Sequence, residues 1–505
     1  MLSAKITAIE EHRKQCAGIP HGVAPRVLSS SFRAPPCTSL TRANKFDHRL
    51  TEEARKRQGA TLKGSASAAS TLRLTNLGNA RPTPALFPWQ AVSLDAVSTP
   101  GMENNLLHSR PTSTRTCRKG EDAYDLGIAL NYGYSAGSPQ LLRFVTEHVE
   151  LIHQPPYADY ECCLTSGSTS ALEVLLRMLC NRGDSILTEA YTYADFLESA
   201  GPLGVNVVGI DMDDCGLIPA SLDATLCNWN ISQGPKPFVL YTIPSGQNPT
   251  GTTQSAERRK AIYEVAQSHD LIILEDDPYY FLRLNMTGNA PSIDDYLASL
   301  PKSYLSMDTA GRVLRLDSTS KILAPGLRCG WLTGSAELIA KFVNHTQFTT
   351  LAPSGPSQVM LYKLLEESWG HEGFISWLSY LSRQYRERRD ILLTACEHFL
   401  PPKVCHWSVP DVGMFVWIRI DLTAHPGLIG DCPSASTIEE RIHVAAKTAG
   451  VQVCKGSWFA TEQAPSGPHV FIRLTYAAVA GDTLTGGIKC FGHVLRDEFD
   501  LHKSA

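Results

Sequence analysis

The sequence predicts an α/β protein with a mostly parallel sheet in a large domain, followed by a smaller α+β domain. From about residue 140 to residue 345, short apolar or β-branched runs alternate with amphipathic helical patterns. Runs that are apolar along their whole length suit strands of a parallel sheet that is covered on both faces. After residue 345, long helical patterns precede a mixture of strands and helices, which favours a separate α+β domain.

The predicted elements follow that division. The large domain has predicted helices at 171–180 and 255–270 and strands at 185–190, 205–210, 238–243, 271–276, 313–318 and 329–334. The second domain has predicted helices at 356–367, 376–400 and 437–449 and strands at 414–420 and 469–477. We expect a disordered N-terminal extension over 1–45, an N-terminal arm over 46–120 with an insertion near 98–120, a large domain over 121–345 and a small domain over 346–505.

Composition limits the classes of partner. The chain has 505 residues, 43% of them hydrophobic, and a formal net charge of −4, with no basic stretch among aromatic residues. These values suit a globular protein and argue against nucleic acid or an anionic membrane as the main partner. The longest apolar runs, such as 238–243, are far shorter than the roughly 20 residues that span a bilayer. We expect small-molecule substrates and a second copy of the chain as partners.

Cysteine usage bears on metal binding and on the compartment. Fourteen cysteines are scattered without a C-x-x-C pair, which argues against a zinc ribbon or a thioredoxin-like site. We therefore expect reduced thiols, no bound metal and a cytoplasmic protein. Residues 29–44 are rich in Ser, Arg and Pro like a transit peptide, whereas Glu10 and Glu11 do not fit one. Mitochondrial import is the alternative.

Several predicted strands end in polar residues, and ligands of open α/β sheets bind beyond the carboxyl ends of the strands. In 164-LTSGSTSALEVLL-176, Ser168 and Thr169 begin a helix and favour an anion site, or else an ordinary helix N-cap. After the next such strand, Asn248 either directs an amide at a ligand or occupies a turn. In 274-LEDDPYYFL-282, Asp276 needs a cation unless it lies in a solvated turn.

A fourth strand end, 314-LRLDSTSKILAPGLRCGW-331, places Lys321 after Ser318 and Ser320, with Arg328 seven residues later. Arginine offers a fork of donors to phosphate, and a lysine amine is a nucleophile. Taken separately, each strand end has an ordinary structural explanation. Together they supply a phosphate cradle, an acid for a cationic ring nitrogen and an amine, which is the set that pyridoxal phosphate requires.

These motifs resemble those of the fold type I, class I and II aminotransferases, and within them the fungal aromatic and 2-aminoadipate group related to kynurenine aminotransferase. The string S-x-S-K-x-x-x-x-G-x-R-x-G-W follows N-P-T-G and D-D-P-Y-Y in the family's order, and the likeness runs from 46-FDHRLTEEARKRQ-58 to 469-HVFIRLTYA-477. The resemblance implies the pyridoxal-phosphate-dependent transferase fold of type I, with a mostly parallel seven-stranded sheet, and a homodimer.

The same resemblance assigns the site residues. The implied catalytic residues are Lys321, as covalent anchor of the cofactor and base for the substrate Cα proton, Asp276, as partner of the ring nitrogen, and Tyr193, stacked on the ring. The other implied cofactor contacts are Asn248 and Tyr279 at the ring hydroxyl, Ser168, Thr169, Ser318, Ser320 and Arg328 at the phosphate, and Tyr132 from the neighbouring subunit. Arg473 matches the arginine that binds the substrate α-carboxylate. The implied reaction is a ping-pong transamination between an amino acid and a 2-oxo acid.

One segment departs from the family. The usual L-G-G-G-L-P-N-P is 77-LGNARPTP-84 here, at a segment that lines the substrate mouth in the relatives. Because neither Asn nor Ala has the conformational freedom of Gly, we expect Ala80 and Arg81, together with Asn248, to take part in substrate binding. Arg81 either favours an acidic or bulky polar substrate tail or points to solvent.

We expect an aromatic amino acid as the donor. Because one scaffold hosts several chemistries, a C–S lyase, a decarboxylase or a synthase of a specialised pathway is the alternative. A transcription regulator with an aminotransferase-like domain would need a DNA-binding module, and residues 1–45 are too short to supply one.

Overall fold

The computed structural model describes residues 2–16, 18–20, 22–34, 39–61, 77–78, 80–97, 112–285, 292–428 and 434–501. Asn79 and residues 98–111 of the expected insertion lie outside the described residues. Within the described ranges, no helix is long and apolar enough to cross a membrane.

The strands are β1 (Ala91–Val97), β2 (Thr112–Arg118), β3 (Tyr160–Thr165), β4 (Ser185–Glu189), β5 (Asn206–Ile210), β6 (Met212–Asp213), β7 (Gly216–Leu217), β8 (Val239–Thr242), β9 (Ile272–Asp276), β10 (Val313–Ser318), β11 (Gly330–Ser335), β12 (Cys405–His406), β13 (Phe415–Asp421), β14 (Cys454–Lys455) and β15 (His469–Thr475). A seven-stranded sheet has the order β3-β11-β10-β9-β8-β4-β5. Strand β11 is antiparallel to β10 and β3, whereas β10 with β9 and β4 with β5 and β8 are parallel. The predicted mostly parallel seven-stranded sheet is confirmed.

The α-helices are α1 (Leu2–Gln15), α2 (Glu52–Lys56), α3 (Leu126–Ala129), α4 (Pro139–Ile152), α5 (Ser168–Leu179), α6 (Ala194–Leu203), α7 (Pro219–Cys227), α8 (Ala256–Ser268), α9 (Ile293–Ser299), α10 (Tyr304–Met307), α11 (Ala336–Thr346), α12 (Gly355–Leu364), α13 (Gly370–Phe399), α14 (Ala435–Thr448) and α15 (Gly481–Glu498). Every helix and strand that the apolar pattern predicts is present. The bounds differ most at α13, which begins at Gly370 instead of residue 376.

The chain divides into two compact units. Unit 1 consists of Met1–Arg182, Asp270–Pro278 and Gly288–Tyr380, and unit 2 of Gly183–His269, Tyr279–Thr287 and Leu381–Ala505. These bounds differ from the expected division at residues 120 and 345, because the N-terminal residues bond to elements that were assigned to the large domain. The Thr51 N–H, for example, donates to the Met178 carbonyl over 2.8 Å.

The extension expected to be disordered contains helix α1, which is tied to unit 1 by ion pairs. The Arg13 guanidinium contacts Glu147, whose side chain is 2% exposed, and donates from Nη1 to Glu366 Oε1 over 2.7 Å. The α1 N-terminus is also bonded, since the Leu2 N–H donates to Asp294 Oδ1 over 3.0 Å. The expectation of disorder is therefore wrong for residues 2–15, because their partners lie far away in the sequence.

In unit 1, strands β3, β9, β10 and β11 are buried along their whole length. This burial agrees with their continuous apolar character and with a sheet covered on both faces. Polar side chains of these strands are therefore costly to bury unless they are paired, which makes the ends of the strands the place to look for chemistry.

In unit 2, strands β12, β13, β15 and β14 form a four-stranded antiparallel sheet in that order. Side chains alternate across a strand, so Val416, Ile418 and Ile420 enter the core of the unit with residues of α13, α14 and α15. The opposite face of β13 and β15 is only partly buried. That second face carries Arg473.

Candidate active site

Three neighbouring strands of unit 1 have cross-strand partner residues that lie side by side at one end of the sheet. In the cross-strand register Gly330 of β11 lies between Ser318 of β10 and Thr165 of β3. Directly beyond this row the chain continues into α5 on one side and into Ser320 and Lys321 on the other. The sheet therefore brings the predicted phosphate-binding segments to one edge.

The Arg328 side chain lies against the turn that precedes α5. A Cβ built on Gly167 would lie 2.5 Å from Arg328 Nη2, and Gly167 has a φ of +94°. Arg328 is itself in the left-handed region, with a φ of 44°, and its Nη1 donates to the Pro325 carbonyl over 3.0 Å. A Cβ at position 167 would therefore force the guanidinium to shift, and the positive φ also favours glycine there.

The start of α5 offers unsatisfied donors beside that guanidinium. Ser168 Oγ is buried and has no hydrogen-bond partner within the described part of the chain, and Gly167 makes no side-chain cap to the helix. Free N–H groups and the helix dipole at a helix N-terminus favour an anion. An anion between Arg328 and Ser168, with Thr169 next in the helix, would satisfy these groups, so the residues fit the phosphate of pyridoxal phosphate.

The turn that carries Lys321 is held by its neighbours. Thr319 donates to the Cys329 carbonyl twice, from Oγ1 over 2.7 Å and from its backbone N–H over 3.2 Å. The Ser320 N–H donates to Ser318 Oγ over 3.1 Å, and Trp377 Nε1 donates to the Ile322 carbonyl over 2.7 Å. Lys321 is half-buried and stands on this fixed turn next to the phosphate-binding row.

The three consecutive acids Glu275, Asp276 and Asp277, two at the end of β9 and one directly after it, divide between the two faces of the sheet. Glu275 and Asp277 both contact Arg315 Nη1, over 2.9 and 3.3 Å, and the Arg315 side chain is fully buried. Because successive side chains of a strand point to opposite faces, Asp276 points away from that arginine. Asp276 is buried, at 5% exposure, and Leu316 is its partner on β10. It is therefore the acid of the three that suits a cationic ring nitrogen.

Sequence reasoning missed Arg315. It also contacts Asp317, with an Nη2 to Oδ1 distance of 3.0 Å, so one buried arginine meets three carboxylates. Burial raises the pKa of Asp317, and the adjacent Arg315 charge opposes that rise. No signal in the sequence marks this cluster except charged residues that alternate within an apolar strand.

Unit 2 contains a second cluster, centred on Arg473. Arg473 Nη1 donates to Asn248 Oδ1 over 2.6 Å, and Nη2 contacts Cys454 Sγ at 3.4 Å. The guanidinium carbon lies 4.6 Å from the ring centroids of both Phe415 and Phe459. Two rings and an amide thus fix the fork of the arginine, with further N–H donors left for a carboxylate. Sequence reasoning missed both phenylalanines.

The loop that carries Asn248 is fixed on both sides. Gln247 Nε2 donates to the Tyr191 carbonyl over 2.6 Å, and Gln247 Oε1 accepts from the Thr250 N–H over 2.9 Å. A Cβ on Gly246, which has a φ of +53°, would lie 2.7 Å from the Cα of Gly413. The Asn248–Pro249 peptide bond is cis. The amide that meets Arg473 is therefore on an ordered loop.

The two predicted tyrosines of unit 2 differ in their surroundings. Tyr279 is buried, at 4% exposure, and its ring meets Phe415 edge-on, with centroids 5.4 Å apart. Through that phenylalanine it belongs to the Arg473 cluster. Tyr193 lies at the N-cap of α6, and its hydroxyl donates to Asp195. The stacking role of Tyr193 on the cofactor ring stays a prediction.

The remaining predicted residues belong to unit 1. Arg81 Nη1 donates to the Val23 carbonyl over 3.2 Å, and burial lowers the pKa of Arg81. The side chain is therefore held by the N-terminal segment and does not extend freely into solvent. Ala80 is exposed, and Tyr132 is 54% exposed. Within the described residues, neither Ala80 nor Tyr132 contacts the Arg328 cluster.

Comparison with known proteins decides the class of enzyme. The chain matches the model of the aminotransferase class I and II family over residues 102–489. The chain belongs to this family. As a member, this aminotransferase has the fold class predicted above, and the family implies pyridoxal phosphate as its cofactor.

The relatives of this aminotransferase match it along most of their length. The aminotransferase swnA of Arthroderma benhamiae is 47% identical over 90% of this chain and 92% of its own. An aromatic amino acid aminotransferase of Schizosaccharomyces pombe is 37% identical over 90% of this chain and 98% of its own. The crystal structure of aminotransferase Aro8 from Candida albicans has a TM-score of 0.84 and 35% identity, covering 91% of this chain and 100% of that chain. The predicted resemblance to fungal aromatic aminotransferases is confirmed.

Proposed function

We propose that this enzyme transfers the amino group of an aromatic amino acid to a 2-oxo acid. The observation that carries this proposal is the Arg328 guanidinium at Gly167, beside the buried hydroxyl of Ser168 and the turn of Lys321. Bound pyridoxal phosphate would supply an aldehyde for the amino group and a ring that accepts electrons from the substrate Cα. The likeness to an aromatic amino acid aminotransferase of Schizosaccharomyces pombe supports the aromatic substrate.

Each cluster would contribute a separate task. Arg328, Ser168, Thr169, Ser318 and Ser320 would bind the phosphate, and Asp276 would keep a proton on the ring nitrogen. Lys321 would anchor the cofactor and then carry the proton that leaves the substrate Cα. Tyr193, Tyr279 and Asn248 would hold the ring and its hydroxyl.

The substrate would be oriented by its carboxylate. Arg473 can form a bidentate pair with the α-carboxylate, because its guanidinium is fixed between Phe415 and Phe459. The same rings give the substrate side of the cluster an apolar, aromatic character. We propose that Ala80 and Arg81 tune the choice of substrate, and that the enzyme works as a homodimer to which the exposed Tyr132 contributes across the interface.

A panel of amino donors tests this function. The purified holoenzyme should absorb visible light as pyridoxal enzymes do, and should lose that band on addition of an aromatic amino acid without a 2-oxo acid. Phenylalanine, tyrosine, tryptophan, 2-aminoadipate and aspartate are compared, each alone and with 2-oxoglutarate. Release of ammonia and pyruvate without an acceptor would contradict transamination.

Replacement of the covalent anchor tests the mechanism. Lys321→Ala should lower kcat by about a thousandfold or more, because the proton at Cα loses its carrier, while the phosphate-binding residues still hold cofactor. Lys341→Ala is the matched control, since Lys341 is a lysine of unit 1 that is half-buried like Lys321 and whose Nζ donates to the Arg55 carbonyl over 3.5 Å. Unchanged turnover in Lys321→Ala would remove this lysine from the mechanism.

A further inference from the structure

A groove of about 440 Å³ opens within unit 2 over the partly exposed face of its four-stranded sheet. Its lining includes Tyr191, Trp407, Trp417, Arg419, His469 and Phe471. The volume lies in the range of small-molecule sites, about 300–1,000 Å³. None of these residues has a role in the proposed reaction.

The register of the sheet relates the groove to Arg473. One row across the strands holds His406, Arg419 and Phe471, and a parallel row holds Trp417 and Arg473. Residues two apart on a strand point to the same face and lie about 7 Å apart along it. The same face of the sheet therefore carries Arg419 and Arg473, which lie diagonally opposite each other on adjacent strands. Trp417 and Phe471 occupy the other two positions of this group of four.

The floor of the groove is an ordered aromatic surface. The rings of Trp417 and Phe471 stack, with centroids 4.9 Å apart and planes 12° apart. The Tyr191 ring meets both edge-on, with centroid distances of 5.5 and 5.3 Å. Because these rings are already packed in place, a flat aromatic ligand would lose little free energy in ordering them.

The charges of the groove suit an amino acid. Arg419 is exposed and forms no hydrogen bond or ion pair with any described residue. Burial, together with the Arg419 charge, lowers the pKa of His469, and Arg419 is the permanent cation in the lining of the groove. Asp213 and Asp214 also line the groove. Asp213 Oδ2 pairs with Arg258 over 2.7 Å, whereas Asp214 makes no such contact within the described chain.

We infer that this groove is a second binding site for an aromatic carboxylic acid, with the ring on Trp417 and Phe471 and the carboxylate on Arg419. An amino acid would add an ammonium contact to Asp214, and a 2-oxo acid would not. The ligand class is that of the proposed substrates, so its relevance rests on the proposed function, whereas the site itself stands on the geometry of unit 2.

Calorimetric titration of the holoenzyme with 3-phenylpropionate tests the site, since this acid has the ring and the carboxylate but no amine to react. Two sites per chain are expected in the wild type. Arg419→Gln should weaken one of them by about tenfold or more, because a charge-assisted bidentate contact is lost, and should leave the spectral half-reaction with phenylalanine intact. Arg473→Gln should weaken the other site. One site in the wild type, or two unchanged sites in Arg419→Gln, would overturn the inference.

Two further arms complete the test. Arg419→Lys keeps the charge without the fork and should bind 3-phenylpropionate between the wild type and Arg419→Gln. Asp214→Asn should weaken groove binding of phenylalanine, measured on the pyridoxamine form, but not of phenylpyruvate, measured on the pyridoxal form; equal loss for both would exclude the ammonium contact. Two sites without any spectral half-reaction would defeat the proposed function and leave the groove site standing.

Discussion

Gly167 and Arg328 form a close steric pair in the candidate active site. Gly167→Ala would place a Cβ 2.5 Å from Arg328 Nη2, at a backbone φ of +94°. We expect the variant to weaken binding of pyridoxal phosphate by tenfold or more, on the order of 1.4 kcal/mol, because the guanidinium must leave the N-terminus of α5. Cofactor fluorescence titration measures this effect.

The control for that substitution has the same backbone strain without the clash. Gly183 has a φ of +91°, and no atom lies within 4 Å of a Cβ built on it. Gly183→Ala should therefore lower the melting temperature through the positive φ and leave cofactor affinity unchanged. Equal losses of affinity in the two variants would mean that strain alone, and not Arg328, explains the first result.

At the scale of residues, side chains that belong to a sequence motif can be predicted. Side chains whose partners are distant in the sequence cannot. Ser168, Ser318 and Arg328 are predictable because the polar residues at several strand ends together suit one phosphorylated cofactor, although each has an ordinary structural explanation by itself. Arg315 is not, because two of its three carboxylate partners, Glu275 and Asp277, become its neighbours only when β9 and β10 pair. Phe415 and Phe459 were missed for the same reason, since only the packing of unit 2 brings them to Arg473.

Among the elements, strands with continuous apolar runs could be predicted and an exposed hairpin could not. Strands β1 and β2 pair from Ala91 with Arg118 to Val97 with Thr112, although most of their residues are exposed or half-exposed. An element of this kind is stabilised by cross-strand pairs instead of burial, which leaves no apolar pattern to detect. Helix α1 escaped prediction because its stabilising partners, Glu147 and Glu366, are over 130 residues away.

Helix α1 should contribute measurably to stability through Arg13. Arg13→Ala would leave Glu147 with His371 as its remaining partner, at an Nε2 to Oε2 distance of 3.0 Å, and Glu366 with Arg143. We expect the free energy of unfolding to fall by about 2 kcal/mol, measured by urea denaturation. Lys14→Ala, on the same helix, is the control and should be neutral.

The effect of Arg13 should depend on pH in a defined direction. Burial acts to raise the pKa of Glu147, but hydrogen bonds from Arg13 and His371 outweigh it and hold that pKa below its ordinary value of 4.5. A carboxyl with a lowered pKa stabilises the fold above its unfolded pKa and ceases to do so as the pH falls through the folded value. The difference between wild type and Arg13→Ala should therefore shrink below about pH 4.5; a difference that persists at pH 2 would contradict this.

For the molecule as a whole, the class of fold could be predicted because it depends on the apolar pattern of strands and helices. The boundaries of the two compact units could not be predicted from that pattern. Alternating buried strands and amphipathic helices predict a covered parallel sheet wherever they occur. Which distant segments pack into one unit depends on individual contacts, such as the Thr51 N–H with the Met178 carbonyl. Domain division is therefore the level at which sequence reasoning was least successful here.

The free energy of unfolding of the whole molecule should also depend on pH through the titration of Glu150. Burial raises the pKa of Glu150 to about 7, against the opposing hydrogen bond from Tyr160. A raised folded pKa means that the stabilising contribution is complete below the unfolded value near 4.5 and is lost as the pH rises through about 7. Wild-type stability should thus fall by up to about 3 kcal/mol over this window.

Glu150→Gln isolates that contribution. The glutamine can still accept the Ala34 N–H, which meets Glu150 Oε1 over 3.1 Å, but it does not titrate. Unfolding free energies measured between pH 4.5 and pH 7 should therefore be flatter in Glu150→Gln than in the wild type. Parallel curves for the two proteins would show that another group carries the dependence.

The consecutive acids Glu275, Asp276 and Asp277 serve opposite faces of the sheet in turn. Glu275 and Asp277 contact the buried Arg315, whereas Asp276 points to the opposite face. Insertion of a single residue upstream within the strand would exchange the two sets, since a one-residue slip sends every side chain to the other face. Arg315 would then meet Asp276 alone instead of Glu275 and Asp277. The carboxylates of Glu275 and Asp277 would both lie on the face proposed for the cationic ring. A change in the length of this strand would therefore disturb both faces of the sheet at once, whereas a single substitution would disturb one of them.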